Sequence, residues 1–147
     1  MTKIRTRKVI CYIVDNDRLL VMRHRDFSME ELGLQVPAGT IEAGEEPADA
    51  ALREAREETG LDGLVLTAAL GTAEYDITPH RPEVQERHFF ALGTTVPTPE
   101  RWFSEETDAY YGGGPIRLEC LWIPVSQGHI VQSGQGALLH RLYPIDS

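Results

Sequence analysis

Residues 39–61 read GTIEAGEEPADAALREAREETGL, a segment crowded with carboxylates, three of which (Glu54, Glu57 and Glu58) fall within five residues. Its small and apolar residues set the conformation. Ala48, Ala51, Leu52, Ala55 and Thr59 recur at i, i+3, i+4, i+7 and i+11, one stripe of an amphipathic helix over 47–59. Pro47 suits the first turn, where a missing N–H costs nothing, and Gly60 is placed to close the helix in a left-handed cap. Glu45 and Glu46 lie at the positive end of the helix dipole. At about 100° per residue the three glutamates span roughly a third of the circumference, at the edge of the stripe.

Glu is a good helix former and Arg53 reaches Glu57 at i+4, so a solvated helix face accounts for part of this pattern. It does not account for Glu54, which has like charges at both i+3 and i+4, each pair costing roughly 0.2–0.5 kcal/mol. Clustered carboxylates are what a hard divalent cation requires, and a bound cation turns their repulsion into attraction. The preceding loop, QVPAGTIEAGEE (35–46), carries Pro37, Gly39 and Gly44, which let backbone approach a metal or a phosphate closely.

Loop and helix together resemble the signature of the Nudix hydrolases: Gly, five residues, Glu, seven residues, then Arg-Glu-apolar-any-Glu-Glu-any-Gly-apolar. Gly39, Glu45, Arg53, Glu54, Ala55, Glu57, Glu58, Gly60 and Leu61 occupy every fixed position. The resemblance implies an α/β fold, an α/β/α sandwich with a mixed sheet between helices. It also implies hydrolysis of a nucleoside diphosphate linked to another moiety, with Mg²⁺ or Mn²⁺ as cofactor. Glu54, Glu57 and Glu58 are then the expected metal ligands, joined by the backbone carbonyl of Ala38 or Gly39. Arg53 holds the carboxylates in place, and Glu45 serves behind them or at the helix start.

The general base stays open, because Nudix enzymes use either a glutamate of the motif or a distant loop carboxylate. Outside the motif the candidates are Glu86, Glu119, Glu105, Glu106 and Asp108, each of which reads equally well as a surface charge. Arg23, Arg25, Arg81 and Arg87 are candidate phosphate contacts, and Tyr110 a candidate stacking residue. Pro37-Ala38-Gly39 is more similar to ADP-ribose and sugar-nucleotide hydrolases than to the Pro-Gly-Gly common among nucleoside triphosphate cleaners. Pro79, eighteen residues beyond Leu61, departs from the ADP-ribose spacing, and Tyr75 from the dinucleotide-polyphosphate spacing. A triphosphate or dinucleotide-polyphosphate hydrolase is the alternative. A non-catalytic sensor with the same fold and an isopentenyl-diphosphate isomerase are the readings of other classes. The first usually lacks these glutamates, and the second needs an altered motif and a catalytic cysteine.

At 147 residues, 41% hydrophobic and 25% charged, the chain reads as one domain spanning 1–147. A formal charge of −9 disfavours wrapping a nucleic-acid polymer, which needs cations to displace condensed counterions, but not a small phosphorylated substrate. No apolar run spans a membrane and the start shows no signal-peptide core, so the expected location is cytoplasmic; a homodimer is compatible with the sequence. Cys11 and Cys120 sit in apolar, strand-like runs and read as buried thiols. Strands are expected near 7–14, 18–24, 63–75, 84–95 and 116–125, with a hairpin at Asp15-Asn16-Asp17 and a second helix near 134–142. Long connections at 25–35 and 97–115 are the expected substrate walls, the second carrying Trp102, Phe103, Tyr110 and Tyr111.

Overall fold

The structure, a computed structural model, describes residues 2–25, 33–106 and 116–143. In chain order the elements are β1 (Ile4–Asp15), β2 (Arg18–His24), β3 (Ala38–Thr40), α1 (Pro47–Thr59), β4 (Leu64–Asp76), β5 (Glu83–Thr94), β6 (Arg101–Glu106) and β7 (Ile116–Pro124). Short 3-10 turns follow at Val125–Ile130 and Leu139–Arg141. The strands form one mixed sheet in the order β4-β5-β1-β2-β7-β6, with β3 also paired to β1.

β1 organises this sheet because its run of apolar residues is buried on both faces. Val9, Cys11 and Ile13 point to α1 and its Ala51 and Ala55, whereas Ile10 and Tyr12 point to the opposite layer and meet Val131 and Leu138. One edge of β1 runs parallel to β5 from Ile4 to Ile13. The other edge pairs with β3 over Lys8–Ile10 and reaches β2 only at Val14 and Asp15. The sheet therefore opens between β1 and β2, and β3 enters that gap carrying the glycine that begins the acidic motif. Asn16 and Asp17, at φ 50° and 61°, make the two-residue hairpin turn, a conformation that short polar side chains tolerate.

The expected helix at 134–142 is instead a series of turns ending in the 3-10 segment Leu139–Arg141. Ser133 and Gly134 are both left-handed, at φ 57° and 69°, and Gly134 and Gly136 each weaken an α-helix by about 1 kcal/mol relative to Ala. The apolar stripe is nonetheless used: Leu138 is buried, and Leu139 and Leu142 pack beside it, so this layer covers the sheet face opposite α1. The connection 97–115 is also not all loop. Its residues 101–106 form β6, the edge strand, antiparallel to β7. Tyr110, Tyr111 and Asp108 lie outside the described residues, as does most of the connection 25–35. Among the described residues no helix is long and apolar enough to cross a membrane. Both cysteines are buried and unbridged.

Tyr12 ties the turn layer to the sheet: its hydroxyl donates to the Gln135 carbonyl at 2.5 Å and accepts from the Leu138 N–H at 3.3 Å, all three groups buried. Tyr12→Phe leaves that carbonyl and N–H without their partner. A loss of about 1–3 kcal/mol in urea-unfolding free energy is expected, with the slope unchanged.

Candidate active site

The acidic helix and the gap in the sheet meet at a cleft of about 460 Å³. One wall is built by α1 and β3. Pro47 opens the helix and Gly60, at φ 71°, closes it by donating its N–H to the Arg56 carbonyl. The buried face of α1 is Ala50, Ala51, Glu54, Ala55, Glu58 and Thr59. Glu54 and Glu58, at 9% and 6% exposure, thus lie inside that face and not at its edge, while Glu57 stands in solvent.

β3 explains how carboxylates occupy buried positions. The Pro37 carbonyl accepts from Cys11 N–H and the Ile41 N–H donates to the Arg7 carbonyl, both at 2.9 Å. An antiparallel ladder alternates, so the backbone groups of Ala38 and Thr40 turn away from β1 toward the helix. There the Ala38 N–H donates to Glu58 Oε2 at 3.2 Å, and the Thr40 carbonyl accepts from Arg53 Nη2 at 3.0 Å. Gly39, between them, gives Glu54 its space: a Cβ at this position would stand 2.0 Å from the Glu54 carboxyl carbon.

Arg53 joins the acids. Its Nε and Nη2 donate to the two oxygens of Glu45 at 2.8 and 2.9 Å, and its Nη1 donates to Glu54 at 2.8 Å and Glu57 at 3.4 Å. Glu45 also accepts from the Glu42 N–H at 3.0 Å, closing the loop onto the helix start. The guanidinium holds Glu45 down to about 2, and Glu45 in turn holds Arg53 well above its ordinary value. Glu54 moves the other way, because burial raises its carboxyl against the pull of Arg53.

The opposite wall is cationic and amidic: Lys8, Arg81, Arg87, Gln85 and Gln135 line it. Lys8 Nζ donates to Thr40 Oγ1 at 2.6 Å, and burial lowers its ammonium. Arg81 lies 3.5 Å from Glu83. Of the residues expected from sequence, Ala38, Gly39, Arg53, Glu54, Glu57, Glu58, Arg81 and Arg87 come together in this cleft.

Others do not line it. Glu86 is paired with His88 at 2.8 Å and Arg7 at 3.4 Å. Glu119 is buried between Arg23 and Arg101. Arg25 stacks over Phe103 at 4.3 Å, and Glu105 lies on β6 beside a separate hollow near the end of α1. The side chain of Glu106 and all of Asp108 and Tyr110 lie outside the described residues. Sequence reasoning missed Lys8, Gln85 and Gln135. Gln85 had a signal, a polar residue alternating with Arg87 on a strand that is otherwise apolar further along, whereas Gln135 sits in a turn whose course sequence did not disclose.

Among the described residues no three acidic, imidazole or thiol groups already converge as a finished metal cage. The donor set is nevertheless of one kind, carboxylate and backbone oxygen, which suits a hard divalent cation. The missing Cβ at Gly39 lets the Glu54 carboxylate sit directly against the backbone of β3, where carboxylate and backbone oxygens come together.

A family model for the NUDIX domain matches residues 4–137. An RNA pyrophosphohydrolase from Brucella ovis is 49% identical over 47 residues, covering 31% of this chain and 26% of that protein. Dihydroneopterin triphosphate diphosphatase from Escherichia coli is 34% identical over 99 residues, covering 65% of this chain and 60% of the enzyme. The chain thus spans only part of the length of both curated relatives. A solved UDP-X diphosphatase superposes with a TM-score of 0.64 at 14% identity, covering 97% of this chain and 64% of its own. A NUDIX hydrolase from Nitrosomonas europaea gives 0.64 at 18% identity, covering 94% and 86%. At such identities the two structures share the fold.

The Glu45–Arg53 pair makes a pH prediction. A depressed carboxyl contributes stability that is present above its unfolded pKa and is lost as pH falls through the folded value, here from about 4.5 down to about 2. Glu45→Gln is expected to melt below the wild type at pH 7. The gap should close as pH drops across that window, in thermal melts run with chelator.

Proposed function

The chain belongs to the NUDIX family, and from that membership we propose that it is a hydrolase of a phosphoanhydride bond in a nucleoside diphosphate linked to another moiety. The observation that carries this reading is the set of Glu54 and Glu57, held by Arg53, and Glu58, held by the Ala38 N–H, facing a cationic wall across one cleft. Charge of both signs at close range suits a phosphorylated substrate that arrives with divalent cations. A sensor would not need two buried glutamates held at the expense of helix repulsion.

Mg²⁺ or Mn²⁺ is the proposed cofactor, held by Glu54, Glu57 and Glu58 with the carbonyl of Ala38 or Gly39. When bound, such an ion neutralises phosphate charge and lowers the barrier to attack by water. The chain's own residues do the rest. Arg53 keeps the carboxylates oriented, and its anchor on Glu45 and Thr40 fixes the guanidinium before substrate arrives. Water attacks phosphorus, the anhydride P–O bond breaks toward the leaving phosphate, and a carboxylate accepts the water's proton. We assign that base to the motif glutamates: among the described candidates, Glu86 and Glu119 are engaged with His88 and Arg23 away from the cleft, and Glu105 lies at a separate hollow. The products are two phosphate monoesters.

Pro37-Ala38-Gly39 favours ADP-ribose or a sugar nucleotide as substrate. Similarity to dihydroneopterin triphosphate diphosphatase favours a second reading, removal of diphosphate from a triphosphate. With a charge of −9, an RNA would be engaged only at its end.

Incubation with ADP-ribose, sugar nucleotides, dinucleotide polyphosphates and nucleoside triphosphates, with product identification, decides between these. Glu58→Gln keeps the acceptor for Ala38 N–H and removes one charge. It is expected to retain stability while turnover falls about a hundredfold or more. No hydrolysis of any compound in the presence of Mg²⁺ or Mn²⁺ would leave the sensor reading standing.

A further inference from the structure

Arg87 is 6% exposed, on β5, at the cationic wall of the cleft. Its partners among the described residues are all neutral. Nε donates to Gln85 Oε1 at 3.0 Å, Nη1 donates to the Ser133 carbonyl at 2.5 Å, and the guanidinium lies 4.0 Å from the centre of the Tyr75 ring. No carboxylate among the described residues comes within ion-pair distance of it. Gln85 donates its side-chain amide N–H to Glu83 at 3.1 Å, so a neutral amide stands between Arg87 and that carboxylate. A buried cation without a counter-ion is costly, and burial accordingly lowers its affinity for the proton.

The surroundings hold this cation in place. Ser133 and Gly134, both left-handed, form the turn that presents the Ser133 carbonyl. A Cβ at Gly134 would meet the Tyr75 ring at 2.9 Å, so the turn closes directly on the aromatic under Arg87. Nη2 makes no hydrogen bond among the described residues. The side-chain amide nitrogen of Gln135 makes none either, since this residue uses its Oε1 to accept from Val36 N–H at 2.8 Å. Both donors belong to residues that line the cleft. Donors fixed in advance and left unused are what recognition of a planar or tetrahedral oxyanion needs.

We propose that Arg87, assisted by the Gln135 amide, is an anion subsite that binds a phosphoryl group of the substrate without the help of a metal ion. The inference rests on the hydrolase reading only for the word substrate. The acidic wall binds phosphate through a cation, and this wall binds it directly. The counter-ion that the described residues do not give Arg87 is supplied by the ligand. Arg87 is then a specificity-determining residue: it requires a second charged group on the substrate, away from the carboxylates, and it acts through binding more than through the chemical step.

The test is titration of inorganic pyrophosphate into the full chain in excess chelator, by calorimetry, with affinity expressed per folded molecule. Wild-type protein is expected to bind, and Arg87→Gln to bind about tenfold more weakly or worse. In a hydrolysis assay with Mg²⁺ the same variant should raise KM by a similar factor and leave kcat within about threefold. Equal pyrophosphate affinity for the two proteins, or a loss confined to kcat, overturns the proposal. Should Arg87→Gln fail to fold, the Arg87 Nε–H resonance of the wild type, assigned through Arg87→Lys, must shift on titration; an unmoved resonance also overturns it. Arg87-dependent binding without any turnover would sink the hydrolase reading and spare the subsite. Turnover with Arg87-independent binding would do the reverse.

Discussion

The Arg53 guanidinium is the contact on which the acidic wall of the cleft depends. Three carboxylates on one turn and a half of helix repel one another, and two of them are buried. Arg53 offsets this by donating to Glu45, Glu54, Glu57 and the Thr40 carbonyl at once, so a single planar group joins the loop, the strand β3 and the helix. A Lys at this position would supply the charge but not the fork of donors that reaches four acceptors. Glu45 holds the other side of that fork and keeps it from collapsing wholly onto the acids that face the cleft.

The second constraint is steric and lies in β3. Because β1 pairs with β3 before it reaches β2, the sheet opens, and the backbone of residues 38–40 is exposed to α1 on its far side. Glu58 takes the Ala38 N–H and Glu54 takes the space that Gly39 leaves empty. The same opening brings Lys8 of β1 and Arg87 of β5 to the cleft from the opposite side. Fold and electrostatics are therefore one arrangement: a gap in a buried sheet with acids entering from the helix and cations from the strands.

Much of this was legible in the sequence, and the reasons differ by element. α1 spans 47–59 as its period, its proline and its closing glycine require. β1 reads as a strand from its apolar run, and the structure buries that run on both faces. The burial of Glu54 and Glu58 was not legible, since it depends on β3 crossing the helix, a long-range contact that helical spacing does not contain. The stripe Leu138, Leu139 and Leu142 imitates a helix, but the two glycines before it let the chain turn, and only packing on the sheet decides between the two. β6 was hidden by its own acids and by Pro97 and Pro99 just before it, which mark an edge strand as readily as a loop. The cationic wall was half visible: Arg81 and Arg87 were candidates by charge, whereas Gln135 was invisible without the turn that carries it.

On the function proposed above, the buried carboxylates are kept for a divalent cation and not for the stability of the helix. The test is the thermal midpoint of the protein as a function of Mg²⁺ concentration, from a chelated baseline, for the wild type and a Glu54→Gln/Glu58→Gln double variant. The wild-type midpoint is expected to climb with the logarithm of Mg²⁺ concentration, as a ligand of the folded state requires. The double variant should begin at or above the wild-type baseline and show no climb. A wild-type midpoint indifferent to Mg²⁺, together with a double variant that melts lower, would contradict the proposal.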